Sequence, residues 1–210
     1  DYISNSDDLK IAMQEVANKR EGIYSKLKTV GLDIILGRSD ELTNGNLELI
    51  DTGSTGRGTN KPNDYDFDFI MRIDRDIMSD EGRKKSLLDK ISEAFPGIKI
   101  ESNGNIRDQK VTLDNGESVK IDITFVPKTD KLDYSTDECI KDRLSSIKRL
   151  DEEKYYKVLE NIILAKEVLK ECYKPKHAGG GKAQGGLGGV GIENWILQNG
   201  GSFVQACHSF

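Results

Sequence analysis

"DTGSTGRGTNKPNDYDFDF", residues 51–69, sets Gly53, Gly56 and Gly58 among hydroxyl side chains and then alternates acids with aromatics. Alternation is the period of a strand, so Asp64, Asp66 and Asp68 share one face while Tyr65, Phe67 and Phe69 share the other. The aromatic face belongs in a core. Carboxylates two residues apart along a strand stand about 7 Å from each other, close enough for like charges to work against one another unless water or a cation screens them. An isolated acid pair of this kind is most often a solvated strand face. A second stretch argues for more.

Asp122 lies in "VKIDITFV", residues 119–126, where Val119, Ile121, Ile123 and Phe125 alternate with Lys120, Asp122 and Thr124. It too falls on the polar face of a strand, which as a neighbour brings it beside Asp66 and Asp68. Three carboxylates from two adjacent strands are the hard oxygen donors that two Mg2+ ions ~3.5–4 Å apart take, with positions left open for phosphate oxygens. Asp66, Asp68 and Asp122 are therefore read as both metal ligands and catalytic carboxylates of a phosphoryl transfer. The loop supplies the other half. Gly53, Gly56 and Gly58 let backbone N–H groups approach a triphosphate, Ser54 and Thr59 add hydroxyls, and Arg57 adds charge. No Gly-Lys-Ser/Thr follows and the next element is a strand, so this is not a Walker loop.

Around this motif the chain reads as a mixed β-sheet with helices against it, an α/β (α+β) fold. Residues 7–29 place Leu9, Ala12, Val16, Ile23 and Leu27 at roughly helical spacing. After a turn-rich Asn44, Gly45 and Asn46, "LELIDT" (47–52) is a short strand. "DEGRKKSLLDKISEAF" (80–95) is a helix ended near Pro96 and Gly97, and three strand-like runs follow: "IKIES" (98–102), "QKVTL" (109–113) and "SVKIDITFV" (118–126). Asn115-Gly116 signals a hairpin between the last two. Residues 150–173 form a long helix with Tyr156, Leu159, Ile163 and Leu169 among its buried positions, and the mixed charges of 142–154 read as a helix face. Ten of the 21 glycines then fall between 179 and 201, interrupted by an apolar "IENWIL" helix. That shift in composition divides the chain into a catalytic domain, 1–140, and a helical segment, 141–210, read as the start of a second domain. Lys174, Lys176, His177 and Lys182 flank the glycine run, which is equally a mobile phosphate- or RNA-contacting lid or a solvated, flexible loop. Trp195, spaced with Ile192 and Ile196, reads as core.

"GSTGRGT", "DYDFDF" and "KIDITFVP" together resemble the nucleotidyltransferase superfamily of DNA polymerase β type. Within it they resemble most the archaeal (class I) CCA-adding enzymes. The resemblance is strong over 45–127 and looser to the end, where "LAKEVLK" resembles a helix carrying a phosphate-binding lysine and "GVGIENWILQNGGSF" resembles a glycine-led helix and Gly-Ser-Phe ending. It implies a nucleotidyltransferase fold with Asp66 and Asp68 as the metal-binding pair, Asp122 as the third carboxylate, and Gly53, Ser54 and Arg57 as triphosphate contacts. It implies Lys166 as a further nucleotide contact, and Asp64 as a flanking acid that is not a ligand. Pro175 stands near where those enzymes carry a tyrosine, with Tyr173 close by. The implied activity is Mg2+-dependent transfer of a nucleoside monophosphate from an NTP, ATP or CTP, to an acceptor hydroxyl, with an RNA (tRNA) 3′ end as acceptor. The alternative acceptors are a second nucleotide, giving a second messenger, or a small molecule or protein. A non-catalytic nucleotide-binding module is disfavoured, because every acid and the Gly-Ser pair are present.

Composition bounds the rest. At 210 residues and 36% hydrophobic content the chain buries one sizeable core or one domain plus part of another. A net charge of -5 gives no overall electrostatic footprint of a strong nucleic-acid binder, a role left to local basic clusters. No apolar run reaches the ~18 residues of a membrane span, and nothing points out of the cytoplasm, where Cys139, Cys172 and Cys207 are expected as reduced thiols. His177 and His208 have no acid–nucleophile partners in the sequence, and the glycines at 185–191 follow no strand, so neither a histidine mechanism nor a dinucleotide fold is supported. The ending "VQACHSF" reads as interrupted, with more sequence expected beyond it.

Overall fold

The computed structural model describes residues 6–36, 47–101, 105–130, 135–172 and 188–209. The glycine run at 179–187, its flanking Lys174, Lys176, His177 and Lys182, the Tyr173–Pro175 position and the turn at Asn44, Gly45 and Asn46 lie outside the described residues. The chain divides into two compact units, Gln14–Gly56 with Asp64–Asp133, and Asp1–Met13 with Arg57–Asn63 and Tyr134–Phe210. The composition shift placed one cut near residue 140, whereas this division takes Arg57–Asn63 and the start of the first helix with the C-terminal helices.

The first of these units is built on a four-stranded sheet. Its strands are β1 (Leu47–Thr52), β2 (Phe67–Ile73), β3 (Ile106–Thr112) and β4 (Ser118–Pro127), in the order β1-β2-β4-β3. β1 and β2 are antiparallel, β2 and β4 parallel, and β4 and β3 antiparallel. Burial alternates strictly along β2, with Phe67, Phe69, Met71 and Ile73 all inside. Val119, Ile121 and Ile123 do the same on β4. Helix α1 (Ser6–Leu36) lays Val16, Ile23, Leu27 and Val30 on this apolar face, as their helical spacing requires. Fully burying one such side chain contributes about 1.5–3 kcal/mol, so this shared face is the main source of the unit's stability.

α2 (Gly53–Arg57) is a single helical turn where the sequence indicated a loop. α3 (Arg75–Ser79) and α4 (Glu81–Ala94) connect β2 to β3. Asp80 caps α4 by accepting the Arg83 backbone N–H at 3.1 Å, an interaction typically worth ~1 kcal/mol. Residues 98–101 form no strand. They follow Pro96-Gly97, and Ile98 and Ile100 pack on the core instead of pairing. The Asn115-Gly116 hairpin forms as expected, with Gly116 N–H donating to the Leu113 carbonyl at 2.8 Å.

The second unit is helical: α5 (Ser135–Leu150), α6 (Glu152–Cys172), α7 (Gly189–Gln198) and α8 (Phe203–His208). The charged run 142–154 is not one helix. Asp151 ends α5 and its carboxylate accepts the Lys154 N–H at 2.9 Å, starting α6. Ile140, Leu144, Val158, Leu159, Ile162, Ile192 and Ile196 form the core, joined by Leu9 from the start of α1. Trp195 is half-buried beside it, edge-on to Phe203 with ring centres 6.1 Å apart. Cys139 and Cys207 are exposed free thiols. No helix among the described residues is long and apolar enough to cross a membrane.

Candidate active site

The strand register decides which acids meet. Asp68 on β2 is the direct partner of Asp122 on β4, and on its other side of Thr52 on β1. Both acids lie on the face opposite Phe67, Phe69, Ile121 and Ile123, as the alternation predicts. β2 begins at Phe67, so Asp64 and Asp66 precede the strand. This corrects the expectation that all three acids of 64–68 share one strand. Asp64 is exposed. The Asp66 backbone carbonyl accepts the Thr55 hydroxyl at 2.9 Å, which ties the start of β2 to the glycine turn.

That turn packs against the acids at backbone distance. Gly53 has a φ of +68°, and a Cβ added there would overlap the Asp68 carboxylate oxygen Oδ2. A Cβ at Gly56 would lie 2.8 Å from both the carbonyl carbon and Oδ1 of Asp51. Both glycines are thus required by close approach to Asp68 and Asp51, whereas the sequence suggested them for approach to a triphosphate. Ser54 sits between Gly53 and Thr55 in α2. On the far side, Asp122 Oδ1 accepts the backbone N–H of Asp108. Asp108 occupies a positive φ of 50°, at the shift in register between Ile106 and Gln109. No sequence signal marked Asp108, because the bulge that aims its N–H arises from the pairing of β3 with β4.

Arg57, Thr59 and Lys166 belong to the helical unit, where Glu193 binds Arg57 and Lys166, and Lys166 reaches Thr59. Glu193 is fully buried. Its carboxylate takes Arg57 Nε at 2.6 Å, Arg57 Nη2 at 3.1 Å and Lys166 Nζ at 2.6 Å. Arg57 Nη1 reaches Asp137 Oδ1 at 2.8 Å, and Lys166 also donates to the Thr59 carbonyl at 2.7 Å. Two cations and two carboxylates balance, which is the condition for holding such groups out of water. Burial pushes the Lys166 ammonium below its ordinary pKa despite Glu193. Burial also opposes the Arg57 charge, but its bonds to Glu193 and Asp137 outweigh this and raise it. Thr59 is fully buried. The sequence reading missed Glu193. The available signal was a single acid inside the apolar "IENWIL" helix, which a buried position tolerates only with a cation.

Asp66, Asp68 and Asp122 supply the carboxylate oxygens that Mg2+ takes, and register fixes two of them side by side. Among the described residues, no three His, Cys, Asp or Glu side chains stand together as a metal-holding group. Asp66 precedes the ladder, and Asp122 Oδ1 accepts the Asp108 amide. The donor set fits the ion in type and in the placement of the Asp68–Asp122 pair.

No protein-family model matches the chain, and no curated protein matches its sequence. Solved structures do match. The chain is similar to CdnC of E. coli MS115-1, solved with HORMA-deltaN, at 20% identity and a TM-score of 0.55, over 92% of this chain and 63% of that one. It is similar to the STING-associated CdnE c-di-GMP synthase of Capnocytophaga granulosa at 17% identity and a TM-score of 0.52, over 88% and 60%. It is also similar to Cid1, described for its RNA terminal uridylyl transferase activity, at 20% identity and a TM-score of 0.51, over 92% and 55%. The chain therefore spans under two thirds of each of these proteins. These likenesses establish the fold: a mixed four-stranded sheet with flanking helices, the nucleotidyltransferase fold.

Proposed function

We propose that this protein is a Mg2+-dependent nucleotidyltransferase that moves a nucleoside monophosphate from an NTP to an acceptor hydroxyl and releases pyrophosphate. The observation that carries this reading is the pairing of Asp68 with Asp122 on one sheet face, with the Gly53 backbone against the Asp68 carboxylate. Asp66, Asp68 and Asp122 would hold the metal as a two-ion site. When bound, Mg2+ lowers the pKa of the attacking hydroxyl and offsets charge on the leaving pyrophosphate. The chain's own part is positioning. Backbone N–H groups of Gly53 and Ser54, with the Ser54 hydroxyl, receive the triphosphate, while the rigid β2–β4 ladder keeps the carboxylates aligned beneath it. Arg57, Thr59 and Lys166 enter this reading as residues that fix the last residue of the turn and the chain that follows it. Their polar groups are engaged by Glu193, Asp137 and one another.

For the acceptor we favour a second nucleotide over an RNA 3′ end. The likeness to a c-di-GMP synthase supports this, and so does the acidic balance of the chain, with a net charge of -5. The RNA reading keeps the support of the likeness to Cid1 and of the resemblance to CCA-adding enzymes. Incubation with all four labelled NTPs and Mg2+, with and without tRNA, separates the two. Nucleotide products formed without RNA are expected. Incorporation that requires tRNA would reverse the choice, and no transfer under either condition would overturn the activity itself.

A further inference from the structure

A triphosphate-binding turn works only if its backbone is held in place before the ligand arrives. One side chain of α1 reaches both arms of this turn. Arg20 Nε pairs with Asp51 Oδ2 at 3.2 Å, and Arg20 Nη1 donates to the Thr55 carbonyl at 3.2 Å. Asp51 lies at the end of β1, ahead of the turn, and Thr55 lies within it. The Thr55 hydroxyl in turn donates to the Asp66 carbonyl, so a continuous run of contacts links Arg20 to the start of the acid strand. The side chains of Arg20 and Asp51 are 27% and 19% exposed, which shields the pair more than an open surface bridge. A guanidinium suits this place because its planar fork serves a carboxylate and a carbonyl together, which a single ammonium does poorly.

We infer that Arg20 is a positioning residue of the donor site: through Asp51 and the Thr55 carbonyl it holds the Gly53–Arg57 turn in the shape that receives an NTP. The inference rests on the nucleotidyl-transfer reading and extends it by making α1 part of that site. It requires no contact between Arg20 and the nucleotide. Removing the clamp loosens the turn, and the loss appears first in NTP affinity.

The test compares Arg20→Ala, Arg20→Lys and Lys26→Ala in the full chain. Lys26, on the same helix, pairs with the exposed Asp114 at 2.6 Å and serves as the control. Amide hydrogen exchange at 53–57, thermal melting, and kcat and KM for the NTP are measured on each. Arg20→Ala is expected to speed exchange at 53–57 about tenfold and to lower kcat/KM by about 10- to 100-fold, chiefly through KM. Arg20→Lys falls between, and Lys26→Ala matches the native chain. Native exchange and native kcat/KM in a folded Arg20→Ala chain overturn the inference. If Arg20→Ala does not fold, Asp51→Asn takes its place. It removes the charge pair at nearly constant shape and is expected to show the same faster exchange and raised KM, while native values in it overturn the inference. A native chain that transfers no nucleotide sinks the activity reading, and exchange at 53–57 still decides whether Arg20 holds the turn.

Discussion

An added Cβ at Gly53 would meet the Asp68 carboxylate, and its φ of +68° would strain any other residue. Gly53→Ala is therefore expected to cost on the order of 1–2 kcal/mol in backbone strain alone. It should also displace Asp68, dropping transfer far more than stability. Activity and urea midpoint measured on one preparation check this. Asp68→Asn and Asp122→Asn remove, at constant shape, the charge that the proposed mechanism assigns to metal binding, and a loss of about 10²- to 10⁴-fold in kcat is expected with native near-UV circular dichroism. Asp64→Asn, at an exposed position ahead of β2, is expected to retain activity. A normal rate in Asp68→Asn would refute the carboxylate mechanism. At this scale the glycines and acids were legible because each signal is local: alternation and glycine spacing act over a few residues. Glu193 was not, since its partners Arg57 and Lys166 lie 136 and 27 positions away along the chain, a pairing that only folding brings together.

Helices and strands position these residues, and α1 does more than cover the sheet. Lys19 Nζ bonds Glu117 at 2.6 Å and the Tyr65 hydroxyl at 3.2 Å, tying α1 to the residue ahead of β4 and to the segment leading into β2. The bond to Glu117 raises the Lys19 pKa above its ordinary 10.5, with burial opposing and Tyr65 adding. The same bond lowers Glu117 below its ordinary 4.5. A carboxylate lowered by folding contributes stability above 4.5 that disappears as pH falls through its folded value, and a raised lysine contributes below 10.5 until pH rises through its own. Glu117 is partly exposed, so solvent screening limits the pair to about 1 kcal/mol or less. Lys19→Met should lower the melting temperature slightly at pH 7, and the difference should vanish on acidification well below 4.5. Melting curves across that range decide it. Alternation was enough to locate β2 and β4. It failed for "IKIES", where apolar spacing alone does not say whether a run pairs or merely packs.

In the whole molecule, two apolar clusters answer to the two units. The single tryptophan, Trp195, stands in the helical one, so its fluorescence reports that unit. Glu193→Ala leaves Arg57 and Lys166 without their buried carboxylate and should lower the stability read by Trp195 fluorescence in urea by about 3–5 kcal/mol. A shift under 1 kcal/mol would mean that the cluster stabilises little. By itself the sequence determined the mixed sheet with helices and the glycine turn and marked the candidate acids, because these depend on periodicity and on chemistry carried within short segments. Only the tertiary structure decided that Asp68 meets Asp122, that Asp66 stands outside the strand, that Asp108 holds Asp122, and that Glu193 gathers Arg57 and Lys166. Register and long-range burial set those contacts, and apart from the lone acid of the apolar "IENWIL" helix neither leaves a mark on the neighbouring residues of the chain.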